Sequence, residues 1–147
     1  MTSRTPHLDL AVTWADEELQ ELQVSAASER FSGEISLYAS PDELRDVADR
    51  LRNFLNGRSE RRDFLLGQED FAGFGTVRLD LYRKLFAETA TLEVTLRANP
   101  GERQAHAETC LLRLSPTVAD VERFETELRR IAQRLGTRAR LLVLAKA

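Results

Sequence analysis

Cysteine is almost absent from this chain. Cys110 is the only one among 147 residues, so no internal disulfide can form. The only histidines are His7 and His106, which leaves a structural zinc site short of its usual ligands. Tryptophan occurs once and tyrosine twice. The longest apolar run, Leu141-Leu142-Val143-Leu144-Ala145, falls far short of the ~20 residues that cross a bilayer. The opening residues MTSRTPHLDL lack the apolar core of a secretory signal. A soluble cytoplasmic protein with no membrane partner is therefore expected. Charge of one sign is not in overall excess: 21 Lys and Arg face 24 Asp and Glu, and a net charge of −3 is too small to imply a nucleic-acid binder.

What remains is globular in character. Hydrophobic residues at 42% and charged residues at 31% exclude a disordered tract and a membrane span alike. The length suits a single domain over 1–147, large enough to fold without a metal or cross-link.

Two segments carry helical periodicity, and both open with Ser-Pro. In the first, Ser40 suits the N-cap, Pro41 the first helical position and Glu43 the capping box. Leu44, Val47, Leu51, Phe54 and Leu55 follow at helical spacing, and Asn56-Gly57 stops the run. The second starts at Ser115-Pro116, places Val118, Val121, Phe124, Leu128, Ile131 and Leu135 on one face, and ends at Gly136. Acids in its first half and arginines in its last turns suit the helix dipole.

The rest alternates with period two. Leu8, Leu10, Val12 and Trp14 share one face; Leu22, Val24 and Ala26 another; then Phe31, Gly33, Ile35, Leu37 and Ala39. A short run at Asp63–Leu66 is followed by Val77 to Leu81, Ala90 to Leu96 and Cys110 to Leu114. The opposite faces are wet, as in Ser32, Glu34, Ser36 and Tyr38. One wet face predicts an α+β domain of two layers: a largely antiparallel sheet of about seven strands with both helices on one face, in the order βββαββββα. Residues 137–147 read as an extension without assigned structure. The strands-then-helix order occurs twice, but the surrounding residues do not align, which argues against an internal duplication.

Candidate chemistry is thin. Gly73-Phe74-Gly75 lacks the third glycine of a dinucleotide loop and leads into a strand, so it reads as a turn. His106 and Cys110 lie four residues apart on a strand, roughly 13 Å, too far to exchange a proton. Cys110 reads as a small core residue and His7 as part of a frayed end. Asp16-Glu17-Glu18 and Glu69-Asp70 read as turn charges, without the glycine-centred spacing of a calcium loop. No catalytic, metal or cofactor-binding residue is assigned. Trp14 reads as core, with partial exposure allowed by its place beside an acidic turn. Tyr38 and Tyr82 fall on wet faces.

Charge separation is the unusual feature. Between Thr5 and Asp49 eleven acids face only Arg30 and Arg45; from Arg123 onward seven bases face only Glu125 and Glu127. Either the two regions neutralise each other as neighbours in the fold, or the acidic third steers a basic partner.

The layout resembles the WapI-like immunity family of small bacterial proteins. Phe31-x-Gly33 and Tyr38 lead into a helix with Leu44, Leu51 and Phe54; four strands follow, then a helix with Phe124-x-x-x-Leu128. The resemblance covers most of the chain, excluding the segment past Gly136. It implies a non-enzymatic protein that binds and neutralises a toxin, often a nuclease, with no catalytic residues to transfer. The expected contact residues are Asp16, Glu17, Glu18 and Glu21, and the expected partner is a basic toxin domain; self-association stays open. The alternative is a small-molecule-binding or enzymatic α+β domain, which requires an enclosed pocket between sheet and helices.

Overall fold

A computed structural model describes residues 5–56, 61–68, 74–101 and 105–143. The elements run β1 (His7–Ala15), β2 (Gln20–Ala27), β3 (Ser32–Ala39), α1 (Pro41–Leu55), β4 (Arg61–Gly67), β5 (Gly75–Tyr82), β6 (Thr91–Ala98), β7 (Glu108–Leu114), α2 (Val118–Ala132) and β8 (Arg138–Leu142). The fold is α+β and its sheets are antiparallel, as the one-sided alternation implies.

Three details differ from the sequence reading. The described strands number eight and divide into two four-stranded sheets, β3-β2-β1-β8 and β4-β5-β6-β7. The extra strand lies in the segment past Gly136 and pairs with β1, Leu141 opposite Leu8 and Ala139 opposite Leu10. The second helix begins later than Ser115-Pro116: Thr117 is its N-cap, and Thr117 and Asp120 satisfy each other's backbone N–H groups in a capping box. It stops at Ala132, before Gly136. Gly57, Glu69, Asp70, Gly73, Leu144 and Ala145 lie outside the described residues.

The first helix has the N-cap, first-turn proline and buried face that its sequence implies. The Ser40 hydroxyl accepts from Glu43 N–H at 3.1 Å, and Leu44, Val47, Ala48, Leu51 and Phe54 are buried. Buried apolar side chains from both sheets and both helices form one core.

The sheets separate because β3 crosses the β4–β7 sheet at close range. A Cβ built on Gly67 would stand 3.2 Å from Leu37 Cβ, and one on Gly75 3.1 Å from Ile35 Cδ1. Both glycines also have backbone carbonyls where a side chain would go: Gly75 O lies 2.3 Å from the Gly67 position, and Arg97 O 2.3 Å from the Gly75 position. Gly67 has φ +95°, a conformation that disfavours any side chain.

The order of elements repeats in space. Counted from its β3 or β7 edge, each sheet reads third, second and first strand of one half, then the last strand of the other: β3-β2-β1-β8 and β7-β6-β5-β4. Each helix has 15 residues. Their buried positions correspond, Leu44, Val47, Leu51 and Phe54 in α1 to Val121, Phe124, Leu128 and Ile131 in α2. Strand register corresponds too. Leu8↔Leu141, Asp9↔Arg140 and Leu10↔Ala139 are matched by Leu79↔Phe64, Asp80↔Asp63 and Leu81↔Arg62. The chain is thus two βββαβ halves, each of whose last strands completes the other's sheet. Residue types hide this repetition, because the halves share element order and register rather than sequence.

The halves also close each other's helices. Gln20, buried in the first half, donates to Ile131 O of α2 at 3.1 Å. Arg83, buried in the second half, donates to Phe54 O and Leu55 O of α1 at 3.4 and 3.3 Å, with its guanidinium 5.4 Å from the Phe54 ring. Both supply donors to carbonyls in the last turn of a helix, where Ile131 O also accepts from Arg134 N–H at 3.0 Å. Between the helices, Arg52 and Arg129 hold corresponding positions, and both reach Oε1 of the buried Glu125 at 3.0 Å.

Candidate functional site

The first strand does not keep its alternation to the end. Val12 pairs with Leu22, but Trp14 pairs with Glu21, a register shift of the bulge type. One extra residue on a strand sends the side chains beyond it to the opposite face. Leu8 and Leu10 are therefore buried, whereas Trp14 is 49% exposed. The expectation of a core tryptophan fails here, because a bulge has no signature in the apolar–polar pattern.

The bulge brings three chemically distinct residues into one row. Trp14 stands opposite Glu21, and Glu21 opposite Tyr38, across β1, β2 and β3. Trp14 and Tyr38 meet edge to face with ring centroids 6.3 Å apart. Phe74, the residue before β5, lies 4.8 Å from Tyr38, so the aromatic row reaches the end of the other sheet. Glu21 is held from two sides: it accepts from Thr13 Oγ1 at 2.9 Å and from the Tyr38 phenol. The carboxylate that takes its proton in a hydrogen bond pushes the Tyr38 hydroxyl above its ordinary pKa, and the charges of Glu21 and Asp16 act in the same direction.

The β1–β2 turn carries the other acids. Asp16 Oδ1 accepts from the backbone N–H groups of Glu18 and Leu19, each at 2.8 Å, which fixes the turn. These bonds, that from Leu19 first, hold its carboxyl below the usual aspartate value, with a smaller contribution from the Arg134 charge. Glu17 and Glu18 are exposed and make no ion pair among the described residues. The four acids Asp16, Glu17, Glu18 and Glu21 thus gather around the aromatic row.

Part of the acidic third is neutralised within the fold. Asp9 pairs with Arg138 and Arg140 of β8, and Asp49 with Arg129 of α2. Asp42 and Asp46 pair within α1, with Arg45 and Arg50. Among the arginines at the end of α2, Arg129 is engaged by Asp49 and Glu125 and Arg130 donates to Leu135 O, while Arg134, just past the helix, acts on Asp16 through its charge without forming an ion pair among the described residues. Of the N-terminal acids without an ion pair among the described residues, Asp16, Glu17, Glu18 and Glu21 lie at or beside the β1–β2 turn, whereas Glu29, Glu34 and Glu43 lie elsewhere.

Other sequence candidates are scattered. His7 lies on β1 with Nδ1 2.9 Å from Thr5 O, His106 is exposed ahead of β7, and Cys110 is partly buried against the core within β7. Among the described residues, no three His, Cys, Asp or Glu side chains are grouped so as to hold a metal ion. A cleft of about 410 Å³ lined by Pro6, Arg30, Phe31, Arg113 and Val143 opens to solvent on another part of the surface. No described helix is long and apolar enough to cross a membrane.

No protein-family model, no curated protein and no solved structure matches this chain.

The Tyr38–Glu21 bond has a spectroscopic consequence. In a Tyr82→Phe background, absorbance at tyrosinate wavelengths should report Tyr38 alone, titrating above the ordinary phenol range. Glu21→Gln removes the negative charge beside the forming phenolate and should return the midpoint toward that range. An unchanged midpoint would mean the bond is not formed.

Proposed function

We propose that this chain is a non-enzymatic binding protein of the immunity type, acting in the cytoplasm. In this reading it neutralises a basic toxin domain by covering it with the surface around Trp14. The observation that carries the proposal is the bulge that turns the sole tryptophan out of the core into a rim of unpaired carboxylates. A flat aromatic anchor with a polar rim is the composition of a protein-binding hot spot. A lysine or arginine on the partner would gain from both the ring face and the carboxylates, the ring contact contributing about 0.5–2 kcal/mol. A nuclease domain suits the chemistry, because a surface that attracts phosphate is positive. The open form of the 410 Å³ cleft supports this reading over a small-molecule site, which buries most of its ligand.

The test is stopped-flow association with the product of the neighbouring gene, at low and at physiological salt. Steering by exposed charge weakens as salt rises. The Glu17→Lys, Glu18→Lys, Glu21→Lys triple variant should associate at least about tenfold more slowly at low salt, and the Glu17→Lys, Glu18→Lys double variant, which reverses only exposed charges, should slow association with little change in thermal midpoint. Trp14→Ala should instead raise the dissociation rate, at a cost of about 2 kcal/mol or more in affinity. An association rate indifferent to both salt and charge reversal would refute the proposal.

A further inference from the structure

Where the two halves ought to match, one sheet edge is capped by a side chain and, among the described residues, the other is not. The edges are those of β8 and β4, which hold corresponding places. In an antiparallel ladder, alternate residues direct their N–H and C=O groups to opposite sides. Val12 N–H donates to Thr137 O and Val143 N–H to Pro6 O, so Arg140 directs its N–H away from β1. Glu127 of α2 accepts that N–H at 2.9 Å and caps the edge.

The same phase applies to β4. Asn99 N–H donates to Phe74 O, so Val77, Leu79 and Leu81 direct their backbone groups toward β4, where they meet Leu66, Phe64 and Arg62. Asp63 and Leu65 therefore direct theirs outward. The position in α1 that corresponds to Glu127 is Arg50, which has no acceptor and is paired with Asp46 at 3.1 Å. No side chain among the described residues takes the N–H of Asp63 or Leu65. Beside this edge, between α1 and β4, lies a groove of about 240 Å³ lined by Glu43, Asp46, Val47, Arg50, Phe64 and Leu65.

We propose that the free edge of β4 binds an extended segment of a partner polypeptide by strand addition. The main chain of the segment pairs with Asp63 and Leu65. An apolar side chain covers Leu65, which is 45% exposed. A lysine or arginine faces Glu43, which makes no ion pair among the described residues. Unpaired edge groups select for backbone rather than for a small polar molecule, which is the general basis of strand addition. This surface is separate from the Trp14 row and does not depend on it.

The experiment selects short random peptides displayed on phage against the full chain, then titrates the best of them while following backbone amides by NMR. Binding should shift the Asp63 and Leu65 amides. Leu65→Pro removes the outward N–H together with the apolar side chain that the segment covers, a change an edge strand tolerates, and should weaken binding at least about tenfold. Arg50→Glu installs the cap that Glu127 supplies in the other half and should weaken binding similarly, and well beyond any effect of Arg50→Ala, which alters the same groove lining but adds no acceptor. Selected peptides that leave the β4 amides unshifted, or that bind Arg50→Glu as well as Arg50→Ala, would overturn the proposal. So would a dimer of the parent chain that Arg50→Glu converts to monomer, since the edge would then belong to a second copy.

Discussion

Phe124→Ala is expected to lower the free energy of unfolding by about 3–5 kcal/mol, the range for emptying a fully packed aromatic site. Phe124 is 1% exposed on the buried face of α2, between Val121 and Leu128, which are both fully buried. That face is shared by the whole core, so the vacated volume cannot be filled by one local rotamer change. A domain has about 5–15 kcal/mol of stability in total, and the variant should lose a large part of it. Urea denaturation would show the loss as a lower midpoint at unchanged slope. Phe124→Leu, which removes less volume, should cost less. A Phe124→Ala midpoint equal to that of the parent would mean the α2 face is not packed as described.

Gly67→Ala should cost about 2–5 kcal/mol, from the left-handed backbone and the forced overpacking together. The residue has φ +95°, and its new Cβ would lie 2.3 Å from the Gly75 carbonyl oxygen and 3.1 Å from Thr76 Cα. Both neighbours are backbone of the paired strand, so relief requires parting β4 from β5. Gly136→Ala is the control. A Cβ there meets only the Arg130 side chain, 3.5 Å away, so the change should be close to neutral. Equal midpoints for the two variants would contradict the close approach of β3, β4 and β5.

Local signals carried the first helix and most strands. Ser40 and Pro41 describe a start that the structure shows, although the reciprocal bond of a capping box from Glu43 is absent among the described residues, and the period-two faces of β2, β5 and β6 fall on the core as read; on β3 only Leu37 and Ala39 are buried, and Phe31 is 67% exposed. The second helix start was harder to read, since Ser115, Pro116 and Thr117 all suit a helix beginning; the reciprocal bonds of Thr117 and Asp120 decide it. Strand β8 was not legible. Its pattern Arg-Ala-Arg-Leu-Leu is short, and its burial comes from β1, more than a hundred residues earlier in the chain. The division into two sheets depends on β3 lying across Gly67 and Gly75, a long-range contact without a local sequence signal.

The candidate site was legible in half. Its acids were visible as the run Asp16-Glu17-Glu18 followed by Glu21. Its aromatic part was not, because strict alternation assigns Trp14 to the core, and only the shift between Val12 and Trp14 moves it out. Phe74 joins Tyr38 from the end of the other sheet, which no local pattern could show.

The account rests most heavily on Trp14 standing outside the core in a negative field, and its fluorescence reports on that directly because the chain has one tryptophan. Paired quenching by caesium and by iodide is the measurement. Caesium should quench more efficiently than iodide at equal ionic strength, and the order should reverse in the Glu17→Lys, Glu18→Lys, Glu21→Lys variant. A blue-shifted emission that neither ion quenches would place Trp14 in the core and contradict the account.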